Sequence, residues 1–171
     1  MKILVVSDTH GRAENLRDAI HIEEPDRIYH LGDGQGVEDD IWKMSEAPVE
    51  CVCGNCDWGT NLPNEVVLDV GSHRVLLTHG HYYGVNYGYE KISEAAHNKD
   101  CDVVLYGHTH VPTIDHYDDL IIANPGSISS PRQPGREHTY MIINVSEDGQ
   151  LQMDLHSLEE YDRAHGNKGC Y

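Results

Sequence analysis

Seven residues of this chain have types and spacing that suit the binding of metal ions: Asp8, His10, Asp33, Asn55, His79, His108 and His110. They stand where short apolar runs end. Asp8-Thr9-His10 follows Ile3 to Val6, Gly32-Asp33 follows Arg27 to Leu31, Gly54-Asn55 follows Val49 to Cys53, His79 follows Val75 to Thr78, and Gly107-His108-Thr109-His110 follows Val103 to Tyr106. Carboxylate, amide oxygen and imidazole without thiolate suit Mn, Fe, Zn, Co or Ni rather than a structural zinc knot. One carboxylate can bridge two ions. With Asp33 counted twice, the seven ligands make four contacts per ion and leave positions for a bridging hydroxide and phosphate oxygens, the arrangement of two-metal phosphoryl chemistry.

The elements that would carry these residues follow from the pattern. Each apolar run is of strand length and bounded by turn formers. Between them, Ala13, Leu16 and Ile20, then Val37, Ile41 and Met44, then Tyr89, Ile92 and Ala96 recur at helical spacing. That alternation predicts βαβ units on a parallel sheet, whose strands present their carboxyl ends to one crevice. Glycine beside three of the ligand positions permits close backbone approach or a sharp turn. Later, Thr113 to His116 with Leu120 to Ala123, Tyr140 to Val145 with Leu151 to Leu155, and Glu65 to Val70 with His73 to Thr78 read as hairpins. The expectation is a single α/β sandwich domain over 1–157, two facing sheets with helices outside. Residues 158–171, polar and without apolar periodicity, read as a loosely held tail.

The totals narrow the chemistry. Twelve basic against 29 acidic residues give a formal charge of −17, which repels an extended nucleic acid or an anionic membrane. A phosphate substrate then needs a local positive feature, and two divalent ions beside two carboxylates supply one. Five cysteines, an odd number without framework spacing, favour reduced thiols in the cytoplasm. The first apolar run is too short for a signal-peptide core or a membrane span.

Taken together, Asp8-x-His10, Gly32-Asp33, Gly54-Asn55-Cys56-Asp57, Thr78-His79-Gly80-His81 and Gly107-His108-Thr109-His110 resemble the calcineurin-like metallophosphoesterase superfamily, in particular its small YfcE-type phosphodiesterases. The resemblance runs from about Met1 to Ser157 and takes in Asn124-Pro125-Gly126-Ser127. It implies a four-layer α/β/β/α sandwich of two mixed sheets. It further implies a first metal on Asp8, His10 and His110, a second on Asn55, His79 and His108, and Asp33 as the bridge. Mn is the ion it implies first, with Fe, Ni, Co, Zn or Mg left open. Its reaction is in-line attack by metal-activated hydroxide on phosphorus. Many superfamily phosphatases carry His after the Gly-Asn pair, where this chain has Cys56. A thiol is a poor substitute for imidazolium as a charge stabiliser, so the expectation is a phosphodiesterase acting on small diesters. The alternatives are a phosphomonoesterase or nucleotide phosphatase with the same core, and a noncatalytic scaffold of the retromer kind that has lost its ligands.

Catalytic roles are expected for Asp33, Asn55, Cys56 and His81. His81, two residues after His79, faces phosphate, supports the metal shell or packs. His21, His30, His73, His97, His116, His138, His156 and His165 are assigned to surface or packing. Cys51, Cys53 and Cys56 lack a partner pair for zinc. Arg12, at a predicted helix start, is read as a solvated first-turn residue, with phosphate contact the rival. Tyr82 to Tyr89 is left between a wall for an aromatic leaving group, a contact of a homo-oligomer and loop packing. Asn124 to Ser127 is expected to close a turn near the cleft.

Overall fold

The apolar runs form strands because both of their faces are buried. In β1 (Lys2–Val6) the alternate residues Ile3 and Val5 point to one apolar layer and Leu4 and Val6 to another, and all four are 0% exposed. The computed structural model describes residues 1–166 and contains two five-stranded sheets. The first has the order β10 (Leu151–Ser157), β9 (Thr139–Val145), β1, β2 (Arg27–His30), β3 (Val49–Cys51). The second has the order β4 (Glu65–Val70), β5 (His73–Thr78), β6 (Val103–Leu105), β8 (Leu120–Asn124), β7 (Thr113–Tyr117). Strands β1, β2 and β3 run parallel, as do β5, β6 and β8, and antiparallel partners flank each trio. All three expected hairpins are present, so both sheets are mixed.

Three apolar layers make the sandwich. Ile3, Val5, Tyr29 and Leu31 meet Val75, Leu77, Val103 and Leu105 between the sheets. Outside the first sheet, Leu4, Val6, Ile28 and Ile142 pack on α1 (Glu14–Glu23), α2 (Glu38–Met44) and α4 (Leu158–His165) through Leu16, Ala19, Ile20, Ile41 and Leu158. Outside the second, Leu76, Val104 and Ile122 pack on Ile92 and Ala96 of α3 (Glu90–His97). Each fully buried aliphatic contributes roughly 1.5–3 kcal/mol by leaving water, which is ample reason for the sheets to face one another. The expected α/β/β/α layering is therefore the observed one.

The polar stretch after Ser157 differs from expectation. Residues Leu158–His165 form α4, anchored by fully buried Leu158 and by the Ser157 hydroxyl, which accepts a hydrogen bond from Glu160 N at 3.0 Å. An N-cap of this kind replaces a missing helical acceptor, and it starts the helix despite little apolar periodicity. The rest of the predicted tail, including Cys170, lies outside the described residues. No helix among the described residues is long and apolar enough to cross a membrane.

Candidate metal centre

The carboxyl ends of β1, β2 and β3 in one sheet and of β5 and β6 in the other converge. Ligand atoms of Asp8, His10 and His110 lie within 4.8 Å of one another, as do those of Asp8, Asp33 and His79, and those of His10, Asp33 and Cys56. His108 stands beside these groups, its ring 5.2 Å from that of His79. Asn55, exposed on the loop after β3, brings Oδ1 to 3.2 Å from His79 Nε2. Asp8, His10, Asp33, His108 and His110 all have φ between 48° and 68°. Left-handed backbone is uncommon outside glycine and is retained where a site requires it.

Backbone carbonyls set the tautomers of two imidazoles. His79 Nδ1 donates to Leu31 O at 2.7 Å and His110 Nδ1 donates to Ser130 O at 2.6 Å. A carbonyl only accepts, so both Nδ1 atoms carry the proton and both neutral rings turn a bare Nε2 lone pair into the site. His110 Nε2 lies 3.0 Å from Asp8 Oδ1 and 3.4 Å from His10 Nε2, and His79 Nε2 lies 3.5 Å from Asp33 Oδ2. Lone pairs so arranged repel one another unless a cation stands between them. A proton would satisfy one such pair; divalent ions satisfy them all. Asp8 Oδ1 is buried with no hydrogen-bond partner, which fits a group held for a metal.

Electrostatics agree. Burial pushes the Asp8 carboxyl up, but the imidazoles of His110 and His79 facing it outweigh burial and leave its pKa lowered. Burial likewise opposes Asp33, whose carboxyl is nevertheless held well below its usual range by His79 and by the Cys56 amide donating at 2.7 Å. The His108 pKa is lowered by burial and then by His79, with Arg132 adding to the effect. Both carboxylates are thus ionised over the neutral range, as ligation needs.

Several residues hold this geometry without facing the crevice. Asp57, 5% exposed, accepts from the amides of Asp33, Gln35 and Gly54 at 2.7 to 2.8 Å and so binds the loops after β2 and β3 together. A Cβ on Gly54 would stand 2.1 Å from Asp33 Oδ1, and one on Gly107 would stand 2.0 Å from Ser7 Oγ. Asn124 donates to Gly107 O and Thr109 Oγ1, and Ser127 Oγ donates to Asp8 O at 2.9 Å. Asn124 to Ser127 thus closes a turn behind Asp8 and residues 107–109. His30, assigned to packing, is buried between Thr9 Oγ1 at 3.0 Å and Gly32 N at 3.3 Å, and burial pushes its pKa down to about 4. Asp57 had no role in the sequence reading, because acceptance from main-chain amides leaves no mark in residue type or spacing.

The remaining candidates sort as follows. Cys56 Sγ accepts from Asn55 Nδ2 at 3.2 Å, and burial, then Asp33 and the neighbouring carboxylates, push its pKa up to about 11. It groups with His10 and Asp33 and not with Cys51 or Cys53, so no cysteine zinc knot forms among the described residues. The His81 ring lies 5.3 Å from that of His79 and 4.0 Å from that of Tyr82, tilted by 40° to it, and its Nδ1 is buried without a hydrogen-bond partner. Burial and the charges of His79 and His108 lower its pKa. Within the Tyr-rich stretch, Tyr83 bonds Glu65, Tyr89 bonds Asp115 and Tyr106, and Tyr82 and Tyr87 are exposed. Arg12 is exposed and donates to Ser129 O at 3.4 Å.

Fold and site together define a two-sheet sandwich with a histidine and carboxylate crevice, and residues 1–148 match the calcineurin-like phosphoesterase superfamily domain. The chain belongs to that superfamily. It is 32% identical over 170 residues to the probable metallophosphoesterase YsnB of Bacillus subtilis, covering 98% of this chain and 94% of that one. It is 31% identical over 146 residues to phosphodiesterase MJ0936 of Methanocaldococcus jannaschii, with 74% of this chain and 83% of that one covered. Among solved structures, a conserved uncharacterized protein of Streptococcus pneumoniae, a predicted phosphoesterase, superposes with a TM-score of 0.78 at 29% identity, covering 91% and 88% of the two chains.

Proposed function

We propose that this protein is a dinuclear metal-dependent phosphodiesterase of small diesters, with Asp8, His10 and His110 on one ion, Asn55, His79 and His108 on the other, and Asp33 between them. The observation that carries the reading is the pair of carbonyl-fixed imidazoles whose Nε2 lone pairs converge on Asp8, Asp33 and Asn55. When bound, two divalent ions supply Lewis-acid activation of water and neutralise charge on phosphate oxygens. The chain's own residues supply the rest. Asp33 and Asp8 hold the negative charge that draws the ions in, and the loops tied by Asp57 and Ser127 keep the ligands in place before substrate arrives. Cys56, beside Asn55, stays a neutral thiol and gives a monoester dianion no compensating positive charge, which supports diesters over monoesters. Mn is the ion the family likeness favours. Free thiols at Cys51, Cys53, Cys56 and Cys101 support a reducing, cytoplasmic setting.

The test is a panel of mono- and diesters assayed after chelation and again after return of Mn. Diester hydrolysis is expected to vanish with chelator, to return with Mn and to exceed monoester hydrolysis. A chelator-insensitive, metal-free protein would restore the scaffold reading. Cys56→His is expected to raise monoester turnover relative to diester by roughly tenfold, the worth of one charge-assisted contact; unchanged selectivity would remove Cys56 from the specificity argument.

A further inference from the structure

The geometry points to a cavity of about 500 Å³ lined by Arg12, Ser129, Ser130, Arg132, Arg136 and His138 as a subsite for a second phosphate on the substrate. The favoured substrates are then small phosphodiesters that carry a further phosphate monoester. The first phosphate in this inference rests on the phosphodiesterase reading above.

Cations are scarce in this chain, 12 lysines and arginines against 29 carboxylates, yet three arginines share this one cavity. Lys2, Lys43, Arg74, Lys99 and Arg163 each pair with a carboxylate, whereas Arg12, Arg132 and Arg136, like Arg17, Arg27 and Lys91 scattered elsewhere, have no ion pair among the described residues; only the first three share one cavity. Guanidinium groups gathered without counter-charge repel one another until an anion joins them, and their planar forks match phosphate oxygens bidentately. The Glu159 carboxylate nearby is engaged by His138 through N at 2.9 Å and Nδ1 at 2.6 Å. By contrast, a larger cavity of about 930 Å³ holds Arg17 and Lys43 but also Asp18, Glu24, Asp26 and Glu46, so it offers no net positive wall.

The arginine cavity is also built onto the catalytic crevice. Its Ser130 carbonyl fixes the His110 tautomer at 2.6 Å, and Arg132 N donates to His110 O at 3.2 Å. Arg12 follows His10 by two residues, and its carbonyl accepts from Ser129 Oγ at 3.3 Å. One end of a diester held at Asp8, His10 and His110 therefore has a positive wall beside it, which a diester without a further phosphate leaves unused.

Two thymidine esters differing in one group make the test: thymidine 5′-(p-nitrophenyl phosphate) and its 3′-phosphorylated analogue. With the Mn-loaded wild type, kcat/KM is expected to be roughly tenfold higher for the 3′-phosphorylated ester, chiefly through KM. In the Arg132→Gln/Arg136→Gln double variant the ratio is expected to fall to about one, and in Arg17→Gln it is expected to stay at the wild-type value. A wild-type ratio near one, or a ratio retained in the double variant, overturns the subsite. A second readout needs no turnover: in calorimetric titration, thymidine 3′,5′-bisphosphate should bind wild type about tenfold tighter than thymidine 5′-monophosphate and lose that advantage in the double variant. If neither ester is hydrolysed, the diesterase reading fails, and the calorimetric comparison alone decides the subsite, equal affinities overturning it.

Discussion

Asp57 illustrates how a single carboxylate governs a site it does not face. Its removal in Asp57→Ala strands the amides of Asp33, Gln35 and Gly54, and unsatisfied buried donors cost roughly 1–3 kcal/mol each. With two of the three buried, a loss of about 3 kcal/mol is expected, read as a melting temperature lower by about 6–12 °C for a chain of this size. Metal affinity is expected to weaken by about 10–100-fold, as for other residues that orient ligands. A variant that melts within 2 °C of wild type and retains its ions would refute the bracing role. The seven proposed ligands were legible because chemistry dictates their types; Asp57 and His30 were not, because what they satisfy is backbone and a neighbouring hydroxyl. His30 yields a pH prediction. Unfolded, it protonates near 6.5; folded and buried, only near about 4, so the unfolded chain binds the extra proton between these values. Its contribution is whole above pH 6.5 and is lost as pH falls toward 4. His30→Gln, which carries no such proton, should lose roughly 2 kcal/mol less stability than wild type between pH 7 and pH 4.5 in urea titrations. Equal losses would show that His30 is not kept neutral by burial.

At the scale of elements, runs such as Val75 to Thr78 were readable as strands since burial on two faces demands continuous apolar sequence. The helices on the sheets declared themselves through Leu16, Ile20, Ile41, Ile92 and Ala96, whose spacing is the apolar stripe itself. Helix α4 did not, because only Leu158 and Asp162 along it are buried. Its signal was local: Ser157 with Glu160 three residues on is a capping-box pattern, and in the structure the hydroxyl accepts from Glu160 N while donating to Glu137 Oε2 at 2.9 Å. Ser157→Ala is accordingly expected to cost about 1 kcal/mol, with a melting temperature lower by about 2–4 °C and faster amide exchange confined to 158–165. Exchange that speeds equally throughout the molecule would mean that the cap stabilises no separate element.

For the whole molecule, the proposed ligands divide between the two sheets. Asp8, His10, Asp33 and Asn55 follow strands of the first, and His79, His108 and His110 follow strands of the second. Direct bonds already cross between the sheets, from His79 Nδ1 to Leu31 O at 2.7 Å and from His108 N to Asp8 Oδ2 at 3.1 Å. Ions bound between them would join both sheets at one end, and they bind only the folded chain. At free Mn about a thousand times the dissociation constant, each bound ion stabilises the folded state by about 4 kcal/mol, so loss of even one ion on chelation should lower the melting temperature by roughly 8–16 °C. Two divalent ions also take the formal charge from −17 to −13, since −17 + 4 = −13, and relief of self-repulsion would by itself raise stability. Salt separates the two causes. In 1 M NaCl charges more than about 3 Å apart are screened, so a shift due to self-repulsion should largely vanish while one due to ligation survives. Ligation across the sheets further requires that chelation speed amide exchange at the ends of β1, β2, β5 and β6 together. Loss of protection in one sheet alone would place the ions on that sheet and remove the bridge.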